Sequence, residues 1–407
     1  MTDASKSRYL DRRSAPHIST LILMAGASAM AINLFLPSLP AMAVHFGAEY
    51  SVMQLAVALF LATNAVMQIF IGPLSDKFGR RPVALGGIAL FCLATAGCLA
   101  APNITVFLIF RMMQATIAAS LVLSRAVVGD IYSRDKAASM LGYVTMGMSL
   151  VPMLSPMIGG FLDQTFGWQA CFWALLLMGL GLFTVVYLDL GETKESSGLT
   201  LVQQFREYPE LLTSPRFWGY CMASALSAGA FFAYLGGAPY IGTEMYHLTP
   251  AVFGMFTGAP AIGYFVGNFT TARMAAKVGV NLLIIWGSVI MACGLAGSIL
   301  LHAIGLGGPF VFFGAMIFVG MGNGLTMPNA TSGMLSVRPH LAGTASGLGG
   351  TIMIGGGAML SILAGVLLQG AEAPFPLLWL QMGCGLAGLV AIYLVIRREK
   401  SLAAAGL

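Results

Sequence analysis

Charged side chains are scarce in this sequence: aspartate, glutamate, lysine and arginine make up 9% of the 407 residues, against about 25% in a typical soluble domain. Hydrophobic residues make up 58%, and the mean hydropathy is +0.85. A water-soluble fold of this size needs more polar surface than this composition supplies. The scarcity of charge therefore excludes an ordinary soluble protein and indicates a membrane protein.

Other absences narrow the function. The six cysteines lie inside apolar runs without a CxxC motif or a cysteine–histidine pair, so we predict small buried thiols, with no metal, cofactor or disulfide framework. The net charge of +5 comes from small basic clusters between apolar runs, which excludes a nucleic-acid-binding stripe. The sequence also lacks HExxH, GxSxG, GxxxxGKS/T and a buried acid pair, so we do not expect an enzyme.

Long apolar runs, by contrast, are abundant. A helix that crosses the bilayer needs about 20 mostly apolar residues, and twelve such runs recur along the chain. We therefore predict an all-α integral membrane protein with twelve transmembrane helices in two six-helix bundles. The predicted spans are 19–43, 51–72, 82–100, 104–129, 138–162, 168–190, 216–240, 250–272, 279–301, 309–330, 341–369 and 374–396.

The basic residues predict the orientation. Of the twenty lysines and arginines, eighteen fall in the tails or in the loops that follow even-numbered spans, and none falls in the alternate loops. The other two, Arg111 and Arg125, lie within the fourth span. Because basic residues accumulate on the cytoplasmic side, both termini are predicted to face the cytoplasm.

The longest internal polar segment divides the chain. We predict an N-terminal six-helix bundle over 1–190, a cytoplasmic linker over 191–215 and a C-terminal six-helix bundle over 216–407. Within the linker, Thr200 and Gln203 have the spacing of a capping box, and apolar residues then share one helical face. These features predict a short amphipathic helix, which either rests on the membrane surface or packs beneath the bundle.

The stretch GPLSDKFGRRPV, residues 72–83, concentrates charge between two apolar runs. Gly72 would let two helices approach closely, and Gly79 can adopt a turn with positive φ. Arg80 and Arg81 would anchor the turn on the cytoplasmic side. Asp76 is placed to meet an arginine or the positive N-terminus of a neighbouring helix.

This stretch, which we call the signature loop, resembles the GxLxDxxGRRxx loop of the major facilitator superfamily, and the resemblance covers the whole chain. Span four contains RMMQATIAAS, span five VPMLSPMIGG and span one NLFLPSLPAM, and together they resemble the Bcr/CflA group of bacterial drug-resistance antiporters. The span-five stretch is similar to an antiporter motif. It keeps Pro156, Gly159 and Gly160 but has Ser155 where glycine is usual.

The resemblance implies a function and a conformational clasp. The implied function is secondary active efflux of small amphipathic compounds across the bacterial inner membrane, in exchange for protons. In the implied clasp, Asp76 faces the start of span eleven near Gly343, and an arginine of the signature loop pairs with Asp130. Arg125, also at the inner end of span four, is placed with Asp130.

Arg111 is the leading candidate for a residue that handles substrate. A charge at the centre of a spanning helix costs about 2.5–3.5 kcal/mol on insertion scales, so such residues usually face a polar cavity. Gln114 lies one turn further on the same face. The predicted substrate-binding residues are Asn33, Phe35, Asn64, Arg111, Gln114, Tyr143, Met146, Phe231 and Tyr234.

Proton coupling depends on the resemblance alone. The Bcr/CflA pattern has an aspartate where this chain has Asn33, and asparagine does not titrate. The remaining candidates for a proton site are Asp76, Asp130 and Asp163, all nearer the surface. The alternatives are a proton-independent facilitator and an exporter of a small metabolite such as an amino acid. We expect a monomer whose partners are a small-molecule substrate, protons and membrane lipid, with no nucleic acid.

Overall fold

The computed structural model describes residues 9–149, 151–194, 208–248, 250–368 and 370–404. Over these residues the secondary structure is helical, without a strand. The α-helices, numbered in chain order, are α1 Ile18–Asn33, α2 Leu39–His45, α3 Tyr50–Phe78, α4 Arg80–Leu99, α5 Ile104–Met113, α6 Ala118–Ile131, α7 Arg134–Ser149, α8 Val151–Phe166, α9 Gln169–Asp189, α10 Tyr208–Leu212, α11 Pro215–Tyr240, α12 Pro250–Thr257, α13 Ala259–Val278, α14 Val280–Ala303, α15 Pro309–Val337, α16 Ala342–Leu368 and α17 Phe375–Ala404.

Within the described residues, 10 helical segments are long and apolar enough to cross a membrane. They match ten of the predicted spans. The described residues of the other two predicted spans, 138–162 and 250–272, lie mostly in α7 and α8 and in α12 and α13. Between α12 and α13 the chain turns at Gly258, just before Pro260, which has no backbone N–H to continue a helix. The predicted all-α membrane fold is confirmed.

The chain divides into two compact units that are discontinuous in sequence. The first unit takes its described residues from Met1–Ile131, Gly147–Glu207 and His340–Leu348. The second takes them from Tyr132–Met146, Tyr208–Pro339 and Gly349–Leu407. Two helices, α7 and α16, therefore begin in one unit and continue in the other. The division into bundles over 1–190 and 216–407 stays a prediction.

The linker is described only at its two ends. Residues 195–207, and with them Thr200, Gln203 and most of the predicted amphipathic helix, lie outside the described residues. The segment Gly191–Lys194 follows α9 directly. At the other end, α10 has Leu211 buried and Leu212 exposed.

The first span is broken, because a proline follows the end of α1. Pro37 has no N–H to donate to the carbonyl of Asn33, four residues earlier. The chain instead forms a 3-10 turn over Leu36–Ser38 and then enters α2. The carbonyls in the last turn of α1 are therefore open to donors from elsewhere.

Matching glycine turns join α3 to α4 and α13 to α14. Gly79 has φ 95° and Gly279 has φ 87°. A residue with a Cβ is strained at such positive φ, so glycine is the residue that allows each reversal. The two turns have the same backbone but different neighbours: Arg80 and Arg81 follow the first, and Val280 and Asn281 follow the second.

The six cysteines are unpaired, and five of them are buried as predicted. Cys293 on α14 is exposed, so the prediction of burial is wrong there. A spanning helix presents apolar side chains outward as well as inward, and a thiol behaves as a small apolar group.

Candidate functional site

Arg111, on α5, is fully buried and donates three hydrogen bonds. Its Nε donates to the carbonyl of Ala56 at 3.1 Å, Nη2 to the carbonyl of Ala31 at 2.9 Å, and Nη1 to Oε1 of Gln114 at 2.7 Å. All three acceptors are neutral. Hydrogen bonds from a charged donor are stronger than neutral ones, so these acceptors are a substantial part of the cation's stabilisation.

Two aromatic rings enclose the same guanidinium. Its Cζ lies 4.3 Å from the ring centre of Phe35 and 4.0 Å from that of Phe60. Among the described residues, no carboxylate forms an ion pair with Arg111. The aromatic faces and the backbone carbonyls therefore stabilise the buried guanidinium in place of a negatively charged partner.

The bond to Ala31 places Arg111 at the end of α1. Ala31 lies in the last turn of that helix, where carbonyls lack intrahelical donors. The C-terminal end of a helix carries partial negative charge and favours a nearby cation. Arg111 thus caps the break in the first span, a role that its position in the sequence did not reveal.

Helix α8 reaches the same break. A Cβ at Gly159 would overlap the carbonyl oxygen of Leu34, whereas one at Gly160 would meet Pro37 at 3.8 Å. Ser155 is buried, and Pro156 lies inside α8. Gly159 and Gly160 of the predicted antiporter motif therefore pack against the end of the first span, and the role of the motif in transport stays a prediction.

Gln114 extends the polar contacts of Arg111 towards α4. Its Nε2 donates to Oγ1 of Thr95 at 2.7 Å. It also begins a 3-10 segment, Gln114–Ile117, that joins α5 to α6 inside the fourth span. A 3-10 segment in the middle of a helix often marks a hinge, so the site lies beside a deformable part of its own helix.

The predicted substrate residues fall into two classes of burial. Those with buried side chains are Phe35, Asn64, Arg111, Gln114 and Tyr234, and those with partly buried side chains are Asn33, Tyr143, Met146 and Phe231. Only the second class offers surface to a ligand in this structure. The substrate-binding role of all nine residues stays a prediction.

Three of these residues have informative partners. Nδ2 of Asn33 donates to the carbonyl of Ala29 at 2.7 Å, and the hydrogen bonds of Arg111 go to other described residues. Asn64 accepts from Gln68 at 2.8 Å, and its own Nδ2 has no hydrogen-bond partner among the described residues.

Tyr234 is fully buried in the aromatic core of the second unit. Its hydroxyl donates to the carbonyl of Thr257 at 3.2 Å, and its ring packs near Phe312 and Phe313. Tyr234 is therefore a packing residue in this structure.

In the signature loop, Asp76 is 1% exposed and lies against the first turn of α16. Its Oδ2 accepts from the backbone N–H of Thr344 at 3.2 Å and from the hydroxyl of Thr344 at 3.0 Å. The first N–H groups of a helix have no intrahelical acceptor and carry partial positive charge. The implied contact between Asp76 and the start of span eleven is therefore present, and Asp76 caps α16.

The close approach of α3 and α16 depends on small residues. A Cβ at Gly72 would lie 2.6 Å from the carbonyl oxygen of Gly343 and 2.6 Å from Cα of Thr344. A Cβ at Gly347 would overlap the carbonyl oxygen of Gln68. Gly72 therefore has the packing role predicted for it.

Arg80 joins the two acids of the predicted clasp. It is fully buried, its Nη1 lies 2.7 Å from Oδ1 of Asp76, and its Nε lies 2.8 Å from Oδ2 of Asp130. Arg80 is therefore the arginine of the loop that pairs with Asp130. Arg81 instead donates to the carbonyl of Tyr187 at 3.0 Å, and Arg125 is half-buried on α6.

The segment after α9 completes this cluster, and sequence reasoning missed it. Glu192 accepts from the backbone N–H of Arg80 at 2.7 Å and so caps α4. Thr193 donates to Asp130 at 3.3 Å, and Nζ of Lys194 donates to Asp76 at 2.9 Å. The only signal in the sequence was a polar GETK immediately after an apolar span.

Comparison with known proteins gives the family of this chain. The family model of the Major Facilitator Superfamily matches residues 21–362. The chain belongs to the Major Facilitator Superfamily. Its fold agrees with that of solved members of the superfamily, including the transporter FucP in the outward conformation, with a TM-score of 0.75 at 15% identity over 93% of this chain and 98% of that one.

Two curated relatives of this superfamily member place it in the Bcr/CflA-like group. It is 27% identical to the bicyclomycin resistance protein homolog of Haemophilus influenzae over 388 residues, which cover 94% of this chain and 96% of the relative. It is also 27% identical to multidrug resistance protein D of Escherichia coli over 377 residues, which cover 91% of this chain and 94% of the relative. The predicted family and group are therefore confirmed.

This superfamily member also contains a second ionic cluster, centred on Glu399 near the end of α17. Oε1 of Glu399 lies 3.0 Å from Nη1 of Arg134 and 3.1 Å from Nη2 of Arg216. Tyr220 donates to Oε1 at 2.9 Å and Asn281 to Oε2 at 2.7 Å. Sequence reasoning missed the cluster, because its members are far apart in the chain.

Proposed function

We propose that this protein is a secondary transporter that exports small amphipathic compounds by alternating access. The observation that carries the proposal is the buried carboxylate of Asp76, which holds the first turn of α16 by hydrogen bonds to Thr344. Those bonds are polar, and few atoms make them, so they can break and re-form in one step. Alternating access needs such reversible contacts, whereas a rigid scaffold does not.

The names of the relatives support drug-like substrates. The relatives in Haemophilus influenzae and Escherichia coli are named for bicyclomycin and multidrug resistance, and a third, 27% identical over 379 residues, is a chloramphenicol resistance protein of Pseudomonas aeruginosa. Substrates that differ this much require an adaptable binding surface. The 26 methionines of the chain provide flexible, polarisable side chains for such a surface.

In this proposal the substrate meets partly buried residues of the predicted set. Within the second unit, Phe231, Tyr143 and Met146 offer apolar and aromatic surface. Arg111 contributes indirectly, by holding the end of α1 in place. Because Arg111 is fully buried, it acts through α1 and not by touching the compound.

Drug:proton antiport is the mode of coupling that we propose. Asp76 and Asp130 are the described candidates with ionic partners. One specific observation favours a facilitator instead: Asn33 replaces the family's acid, and Arg111 has only neutral hydrogen-bond partners. The two modes make opposite predictions for transport without a proton gradient.

Purified protein in sealed vesicles separates these modes. We expect uptake of chloramphenicol or another compound of a drug panel when the vesicle interior is acidic, and its loss when an ionophore collapses the gradient. Unchanged uptake after collapse would rule out antiport and favour the facilitator. Transport of amino acids in place of drugs would favour the metabolite exporter, and the absence of any transport by the protein alone would contradict a transport function.

Asp76→Asn tests the role of the clasp. The amide keeps a hydrogen-bond acceptor for Thr344 but loses the charge that attracts Arg80 and Lys194. We expect kcat to fall about tenfold, equivalent to about 1.4 kcal/mol, while KM stays within about twofold because substrate contacts are unchanged. A rise in KM at unchanged kcat would contradict the clasp.

For topology, we propose that both termini face the cytoplasm of the bacterial inner membrane and that the functional unit is a monomer in contact with lipid. The distribution of lysine and arginine supports the orientation. Labelling of a cysteine introduced at Arg398 by a membrane-impermeant reagent tests it. Labelling should require permeabilised cells, and equal labelling in intact cells would overturn the orientation.

A further inference from the structure

Two helices, α7 and α16, pass from one compact unit to the other, and each does so just before a glycine. Helix α7 lies in the second unit up to Met146 and in the first unit from Gly147. Helix α16 lies in the first unit up to Leu348 and in the second from Gly349. In each helix the change of unit falls before a glycine, where helical propensity is weakest apart from proline.

The start of α16 is held by Asp76 within the first unit, as described above. The start of α7 is held within the second unit by a different set of groups. Nη1 of Arg134 lies 3.0 Å from Oε1 of Glu399, and Nη2 donates to Oδ1 of Asn281 at 2.7 Å. The backbone carbonyl of Arg134 accepts from Ser332, and its guanidinium also contacts the hydroxyl of Tyr220.

Glu399 is the group on which this set depends. It is the one carboxylate among the described partners of Arg134 and Arg216, and it accepts two further hydrogen bonds from Tyr220 and Asn281. Its side chain is 21% exposed, against 26% for Arg134 and 24% for Arg216. A pair buried to this extent is screened less by water than an open surface pair.

The cations and acids of the two sets come from different elements, as the residues after the two glycine turns show. At Gly79 the turn is followed by Arg80 and Arg81, whose acid partners come from α3, α6 and the segment after α9. At Gly279 the two positions after the turn hold Val280 and Asn281, so neither of these positions carries a charge. In the second unit the cations come from Arg134 and Arg216, and α17 supplies the acid.

We propose that Glu399 is a positioning residue for transport: it holds the start of α7 in the second unit, as Asp76 holds the start of α16 in the first. The described residues then form two ionic latches. The α16 latch consists of Asp76, Arg80, Lys194 and Thr344, and the α7 latch of Arg134, Arg216, Tyr220, Asn281 and Glu399. This inference rests on the proposed alternating-access function, in which both latches open in each cycle.

Hydrogen exchange of the full chain in detergent tests the latches separately. Glu399→Gln removes the charge and leaves two arginines without a carboxylate, so amides in 134–146 should exchange about tenfold faster. Amides in 342–348 should be unaffected. Asp76→Asn should give the reverse pattern. Unchanged exchange in 134–146 for Glu399→Gln, or equal acceleration of both segments, would overturn the inference.

Two further variants serve as controls. Glu372→Gln makes the same chemical change at an exposed position before α17, and it should alter neither segment. Glu399→Asp keeps the charge and should recover most of the protection of 134–146. An effect of Glu372→Gln as large as that of Glu399→Gln would overturn the proposal.

Kinetics distinguish a positioning role from plain stabilisation. In transporting vesicles, Glu399→Gln should lower kcat about tenfold and leave KM within about twofold. Unaltered kcat per folded molecule would leave Glu399 a merely structural residue and overturn the proposal. If the wild-type protein moves no compound, the proposed function fails, while the exchange experiment still decides whether Glu399 holds α7.

Discussion

Arg80 and Arg111 are both fully buried, yet their surroundings have almost nothing in common. Arg80 lies between two carboxylates, with Asp76 at 2.7 Å and Asp130 at 2.8 Å. Arg111 has carbonyl oxygens, the amide of Gln114 and two aromatic rings. Arg80 is stabilised by the formal negative charge of two carboxylates, whereas Arg111 is stabilised by dipoles and π faces.

The difference between charged and neutral partners determines what each arginine can do. Both ionic partners of Arg80 are carboxylates, so its bonds depend on formal negative charge. No described carboxylate forms an ion pair with Arg111, so its position does not depend on a neighbouring formal negative charge. The first arrangement suits a contact that breaks and re-forms, and the second suits a fixed support for the end of α1.

The largest expected effect comes from Arg80→Met. This change leaves two carboxylates in a buried site without the cation between them, and breaking a buried pair in this way costs about 3–5 kcal/mol. We expect a loss of that size in the free energy of unfolding, measured in detergent with the full chain. Lys194 remains near Asp76 but reaches only one of the two acids.

Arg80→Lys is the matched control, because it keeps the charge and loses the fork that spans both acids. It should recover part of the lost stability. If Arg80→Met proved as stable as the wild type, the two carboxylates would not depend on this cation and the comparison would fail on that side.

Arg111→Met should cost less stability and abolish efflux. It removes three hydrogen bonds but leaves no charge stranded, so we expect about 2 kcal/mol from the unpaired acceptors. The protein should still reach the membrane in normal amounts. Efflux should be lost because the end of α1 is no longer held.

Arg111→Lys sharpens this test. An ammonium keeps the charge but lacks the planar geometry that reaches Ala31, Ala56 and Gln114 together, so it should not restore efflux. Efflux retained by Arg111→Met would remove Arg111 from the mechanism. A loss of stability equal to that of Arg80→Met would show that formal charge does not set the two sites apart.

The smallest expected effect comes from Gly159→Ala. The new methyl group would overlap the carbonyl oxygen of Leu34, so α8 must move away from the break, at about 1–3 kcal/mol. Thermal unfolding and efflux should both fall. Gly160→Ala is the control, since its methyl group would meet Pro37 at 3.8 Å, and equal effects of the two substitutions would contradict close packing at Leu34.

Much of the fold could be predicted from the sequence, because each helix that crosses the bilayer needs about 20 mostly apolar residues in a row. One predicted span, 250–272, is divided into α12 and α13. At Gly258 and Pro260 the local chemistry of those residues competes with the apolar pattern. The signature loop was equally readable, since GPLSDKFGRRPV brings its residue types together within one turn.

The candidate site was predictable only in part. Asp76, Arg80 and Asp130 were recognisable from motifs, and their contacts follow the implied clasp. Lys194 and Glu399 were not, because nothing near them in the chain indicates their partners. Arg111 was correctly singled out as a buried charge in a span, but its use as a cap for α1 depends on a break in another helix.

The sequence by itself determined which segments cross the membrane, where the first span must break and which turn needs a glycine. These follow from apolar length, from the missing N–H of proline and from the absent Cβ of glycine, which are all local properties. Only the tertiary structure decided which buried charges meet. Asp76 and Lys194 are 118 residues apart, and Arg134 and Glu399 are 265 apart. The partner of a buried charge is set by which distant segments pack together, and no local sequence pattern indicates that packing.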